Sequence, residues 1–237
     1  MQPAWTIVSK WEELEPVEHR RPVPIALLHS MVVIALNWKW KRVAAVLLVC
    51  FYGCCRPGEM LNASRKSLVL PDDLGAVPGS ACFLRIVKPK PGRRGLGRGQ
   101  HVKVRDSSIS LFLASVFGGL DCNELLYPGS ASAFRVRWNK ILKCLGVPPS
   151  AKLTPGCLRA GGTVELYKQG MPILDILWAL RLKNIETLQH YLQEISTEIT
   201  MIDLPLSTRT LVKNLNLLFS HFISLSSCEM GEVHQAR

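Results

Sequence analysis

Leu153-Thr154-Pro155-Gly156-Cys157-Leu158-Arg159-Ala160-Gly161-Gly162-Thr163 is the most informative stretch of this 237-residue chain. Thr154 can cap a helix, and Pro155 suits a first turn, where its missing N–H is no loss. Arg159 then falls about one turn later. Ala160, Gly161 and Gly162 beside it carry almost no side chain, so another backbone or a ligand can come close. Two arrangements fit: a helix packed through its small residues with Arg159 on the surface, or an arginine held for a ligand.

Outward from this helix, apolar runs and breaks alternate. Gly170 suits a helix stop and Pro172 a helix start, predicting helices over 158–169 and 173–180. Asn184 is an N-cap for a further helix over 185–195, with Leu188 and Leu192 on one face and Tyr191 offset from it. A last helix is expected over 208–225, followed by a frayed end. Upstream, 110–117 and 130–145 read as helices. The character changes between 65 and 105. Residues 67–70, 82–87 and 101–104 read as strands, punctuated by Pro71-Asp72-Asp73 and by residues 89–99. Before them lie two strongly apolar helices, 25–36 and 41–52, and a short helix starting at Pro57. The expected fold is mainly α with a small antiparallel β-sheet. Residues 1–24, with Pro3, Pro16, Pro22 and Pro24, read as a tail or linker; 25–200 form the expected domain, and 201–237 a C-terminal helix and tail.

Composition narrows the function. Hydrophobic residues make up 48% and charged residues 20%, which suits a globular chain. Lys and Arg number 29 against 18 Asp and Glu, a formal net charge of +11 that points to a polyanionic partner. The apolar runs 25–36 and 43–54 are separated by Asn37-Trp38-Lys39-Trp40-Lys41-Arg42, and each falls short of the roughly 18 residues of a membrane span. No secretory leader is read at the N-terminus, so an intracellular location is expected, nuclear if the source is eukaryotic. The 8 cysteines are scattered without a C-x-x-C pair, and read as buried reduced thiols with no zinc site.

Charge is concentrated at Arg85, Lys88, Lys90, Arg93, Arg94, Arg98, Lys103 and Arg105, with no acidic residue between positions 85 and 105. Glycines at 92, 95, 97 and 99 loosen the tip. Such a segment can be a solvated loop, but its self-repulsion favours contact with a phosphate backbone. Upstream, Arg56 and Glu59 are spaced for an ion pair at a helix start.

In order, the chain holds Arg56 with Glu59, a lysine-bearing hairpin, Leu-x-Pro-x-x-Leu-Arg ending at Arg159, and Tyr191 thirty-two residues further on. This order resembles the catalytic domain of the tyrosine recombinases, the phage-integrase-type enzymes, over roughly residues 22–200. Lys88-Pro89-Lys90 and Gln100-His101-Val102 are similar to segments of divergent recombinases from eukaryotic mobile elements. The resemblance implies an integrase-like core, double-stranded DNA as partner, a homo-oligomer on that DNA, and DNA recombination or integration as function. Arg56 matches the first catalytic arginine, Glu59 its acidic support, Lys90 (alternatively Lys88) the hairpin lysine, Arg159 the second arginine and Tyr191 the nucleophile. Lys88, Arg93, Arg94, Arg98 and Lys103 would meet DNA. Two positions depart from the family: Gly156 and Leu182 stand where imidazole or indole side chains are usual.

The implied chemistry is phosphodiester transfer. The tyrosine oxygen attacks the phosphate, a 3′-phosphotyrosyl bond forms, and a 5′-hydroxyl leaves. Two guanidiniums would hold the non-bridging oxygens as charge develops there, and the lysine would protonate the leaving oxygen. The sequence has no acidic cluster spaced for a two-metal nuclease, so no metal or cofactor is expected. Arg56, Arg159 and Tyr191 should then converge on one phosphate-sized, solvent-open pocket. The alternative expectation is a catalytically degraded DNA-binding remnant. A third reading, a basic hairpin on anionic lipid, is disfavoured because Trp38, Trp40, Trp138 and Trp178 form no single amphipathic stripe.

Overall fold

The computed structural model describes residues 21–86, 100–189, 191–192 and 194–228. Two apolar helices make its centre. In α1 (Ile25–Asn37) and α2 (Lys41–Tyr52) most side chains are buried, because neighbours cover both on several sides. The short α3 (Pro57–Leu61) follows. A three-stranded antiparallel sheet comes next: β1 (Leu68–Val69), β2 (Cys82–Ile86) and β3 (Gln100–Val104), in the order β1-β2-β3. Seven helices complete the described chain: α4 (Ser107–Phe117), α5 (Ala131–Cys144), α6 (Cys157–Lys168), α7 (Ile173–Leu180), α8 (Ile185–Gln189), α9 (Glu194–Ile202) and α10 (Leu206–Cys228). The fold is mainly helical with one small antiparallel sheet, as the sequence predicts.

Local chemistry sets several boundaries. The Asp106 side chain accepts from the Ile109 N–H at 2.9 Å, so α4 begins three residues before the predicted start. The Ser130 hydroxyl caps α5 through Ala133. Thr154 does not cap α6. Its carbonyl accepts from the Cys157 N–H in a turn that precedes the helix. The predicted helix over 185–195 is broken: α8 ends at Gln189, and Tyr191 lies in the turn between α8 and α9. There the Tyr191 N–H bonds the Leu188 carbonyl at 2.8 Å, a tighter closure than the α-helical one.

One large core joins α1, α2, α4, α5, the inner face of the sheet and α10. α10 lies along α1 and α4, and Leu204, Val212, Phe219 and Ile223 join the same core. Val23 is also part of it, fully buried and hydrogen-bonded to the Cys157 carbonyl at 3.2 Å. A second, smaller apolar cluster gathers Cys54, Ile176, Leu177, Leu180 and Leu188, with Leu182, Tyr191 and Leu192 packed against it. α6 runs between the two. A side chain at Gly161 would stand 2.1 Å from the Val23 carbonyl oxygen, and one at Gly162 2.0 Å from that of Phe51. The small residues therefore serve backbone approach, one of the two uses their sequence suggests.

All eight cysteines are free; Cys122, Cys144 and Cys228 are exposed, against the expectation of burial for the whole set. Among the described residues no helix is long and apolar enough to cross a membrane.

Candidate active site

The site is assembled where α3, the start of α6 and the end of α7 meet. Arg56 precedes α3 in extended conformation (φ −73°, ψ 136°), which turns its N–H toward the helix it introduces. Glu59 reaches back: Oε2 accepts the Arg56 N–H at 2.9 Å, and Oε1 accepts Arg56 Nη1 at 3.0 Å. The carboxylate thus caps the helix and orients the guanidinium together.

The same carboxylate has a second partner. Arg181 Nη2 donates to Glu59 Oε2 at 2.6 Å across 122 residues of chain. Burial pushes the Glu59 pKa up, but Arg181, the Arg56 N–H and the Arg56 guanidinium outweigh it and hold the carboxyl below its ordinary value. Sequence reasoning missed Arg181. The only hint was its place next to Leu182, at the end of a predicted helix.

Arg159 is buried, with 3% of its surface exposed, so it stands neither on the surface nor in a solvent-open pocket. Nη1 donates to the Cys54 carbonyl at 3.0 Å and Nη2 to the Leu180 carbonyl. The Tyr191 ring covers the guanidinium, with Cζ 5.6 Å from the ring centroid. Burial lowers the Arg159 pKa, and the positive Arg56 nearby lowers it further. Arg56, Arg159 and Tyr191, remote in sequence, therefore occupy one neighbourhood. Arg56 is its open side, with 39% of its side chain exposed.

The two departures from the family pattern have different surroundings. Gly156 is the residue before α6 and offers no side chain. Leu182 packs against the small apolar cluster, as Tyr191 does, instead of carrying a polar group. Cys54 lies under Arg159, and burial pushes its thiol up to about 11, which keeps it protonated at neutral pH.

A cleft of about 540 Å³ opens beside Glu59, lined by Lys66 and Arg85 among others. On the outer face of the sheet, Arg85 pairs with His101 and Phe83 with Lys103. Lys103 lies over the Phe83 ring at 5.5 Å and, with Arg105 and His101, borders a smaller cleft beside Trp178. Lys88, Lys90, Arg93, Arg94 and Arg98 lie outside the described residues. Among the described residues no three His, Cys, Asp or Glu side chains are grouped to hold a metal ion.

No family model and no curated protein matches the chain. Among solved structures it is similar to a crystal structure of XerA recombinase, with a TM-score of 0.55 at 19% identity over 81% of this chain and 67% of that chain. The likeness is one of fold.

Proposed function

We propose that the chain binds double-stranded DNA and breaks and rejoins it through a 3′-phosphotyrosyl intermediate. The observation that carries this reading is the meeting of Arg56, braced by Glu59, with Arg159 and the Tyr191 ring that covers it. The fold shared with a recombinase supports it. In this reading the Tyr191 oxygen attacks the phosphorus, and the 5′-oxygen leaves with a proton from Lys90, or from Lys88. In this reading Arg56, the exposed guanidinium of the cluster, meets the phosphate directly. Arg159 meets it once the Tyr191 ring moves off the guanidinium, so access to the phosphate and release of the nucleophile are one motion. Gly156 offers no base for the phenolic proton, which leaves through water.

The second reading, a DNA-binding remnant, draws on two observations: both terminal nitrogens of Arg159 are committed to carbonyls, and Leu182 is apolar.

Incubation with nicked suicide duplexes separates the two. Strand transfer requires a protein–DNA adduct that survives denaturation and disappears in Tyr191→Phe while DNA affinity stays nearly unchanged. Tight DNA binding with no adduct, even in Gly156→His, selects the remnant.

A further inference from the structure

Arg181 is held in an unusual way. It closes α7 in the left-handed conformation (φ 56°, ψ 37°), a region that costs a side-chain-bearing residue about 1 kcal/mol or more. The left-handed turn delivers its side chain to the Glu59 carboxylate, and only 6% of that side chain is exposed. One nitrogen is used there. Nε and Nη1 are buried with no hydrogen-bond partner among the described residues, and Arg159 Nε is in the same condition. Buried donors are normally satisfied, and an idle one is costly.

The charges do not balance either. Glu59 is the single carboxylate bonded to this cluster among the described residues, and it divides its two oxygens between Arg56 and Arg181. Arg159 is bonded only to neutral carbonyls, and the charges of both Arg56 and Arg181 depress its pKa. Three guanidiniums share one negative charge, and two of them, Arg159 and Arg181, are almost wholly withdrawn from water. A bound anion would supply both the missing charge and the missing acceptors. The ligand chemistry that guanidinium donors suit best is an oxyanion such as phosphate or carboxylate.

We infer that Arg181 is a third phosphate-binding arginine of this site, acting beside Arg56 and Arg159 on one phosphodiester of a nucleic-acid backbone. The inference rests on the strand-transfer reading for the nature of the phosphate, and on the idle buried donors for the site itself. It also gives Glu59 a role in affinity, since the carboxylate competes with the phosphate for Arg181 and Arg56. A purely structural Arg181 would tie α7 to α3 and leave anion binding untouched.

The test uses inorganic phosphate as probe, read as thermal stabilisation of the full chain at constant ionic strength against chloride. Wild type is expected to show a saturable rise in melting temperature. Arg181→Gly keeps a backbone that glycine adopts freely and removes the guanidinium. It should weaken apparent phosphate affinity about tenfold or more. Arg181→Lys keeps the charge and the Glu59 partner, folds as wild type, and should recover only part of the loss. Glu59→Gln should tighten phosphate binding. Phosphate indistinguishable from chloride in wild type, or equal saturation in Arg181→Lys and wild type with no gain in Glu59→Gln, overturns the proposal. A short DNA duplex titrated alongside tells backbone phosphate from the free ion, and must show the same order of variants. The nicked-duplex adduct is scored separately. Phosphate binding lost in Arg181→Gly without any wild-type adduct keeps Arg181 and removes strand transfer; an adduct without saturable phosphate binding removes Arg181 and keeps strand transfer.

Discussion

Glu59 is the residue on which the site depends most. Its carboxylate is 9% exposed and bonded to two arginines, one of them 6% exposed. Removing one partner of a buried pair leaves the other charge uncompensated, so Glu59→Ala should cost about 3–5 kcal/mol by urea unfolding. Arg181 should bear most of that loss, because Arg56 can turn to water. The pH dependence follows from the lowered Glu59 pKa. The folded state holds the proton less tightly than the unfolded chain, so the stabilisation is present above the unfolded value near 4.3 and is lost as pH falls through the folded one. Unfolding curves between pH 3 and 6 should converge for wild type and Glu59→Gln at the acid end. The pair Arg56–Glu59 was legible in sequence because its partners are three residues apart. Arg181 was not, because its meaning depends on a carboxylate 122 residues away that it meets only after folding.

Among the elements, α1, α2 and α10 are joined by a polar contact that the apolar sequence of α1 conceals. His29 Nδ1 meets Asn216 Oδ1 at 2.7 Å, Nε2 meets the Tyr52 hydroxyl at 2.8 Å, and the ring stacks on Phe219 at 3.7 Å. Neutral histidine satisfies both contacts, donating to the amide oxygen and accepting from the phenol. Burial lowers its pKa despite Asn216. The unfolded chain therefore takes the proton first, and stability falls as pH drops below about 6.5. Chemical denaturation at pH 7.5 and 5.5 should show this loss in wild type and a smaller one in His29→Gln. At the crossing of α6 with α2, Gly162→Ala would gain about 1 kcal/mol of helix propensity. It would also drive a methyl group to 2.0 Å from the Phe51 carbonyl oxygen. Overpacking of that kind costs about 3 kcal/mol or more, so a net drop in the urea midpoint is expected. The helices themselves were legible from apolar runs bounded by Pro and Gly. The break after Gln189 was not, because Leu188 and Leu192 are spaced as for one helix. Leu188, Tyr191 and Leu192 all pack against the small cluster, which is compatible with a turn as well as with a helix.

For the whole molecule, the net charge of +11 would favour a polyanionic partner, and the fold gives part of that charge a direction. Arg85, His101 and Lys103 alternate with the buried Leu84 and Val102, so the two-residue period of the strands puts the basic groups on the outer face of the sheet. Arg85 also borders the cleft beside Glu59, and Lys103 borders the one beside Trp178. A duplex laid across this face toward Arg56 would meet basic groups along its path. Each phosphate contact releases counterions, and the dependence of log affinity on log salt steepens by about 0.9 for each phosphate neutralised. Arg85→Gln with Lys103→Gln should therefore flatten the slope by about 2 between 50 and 200 mM KCl, measured by fluorescence anisotropy with duplexes of unrelated sequence. The loss should be alike for every duplex, because phosphate contacts carry no sequence information. Arg93→Gln, Arg94→Gln and Arg98→Gln together should flatten it by about 3 if those residues meet DNA as their composition suggests. An unchanged slope in the first pair, with a large change in the second set, would move the DNA path off the sheet face and onto the segment between β2 and β3.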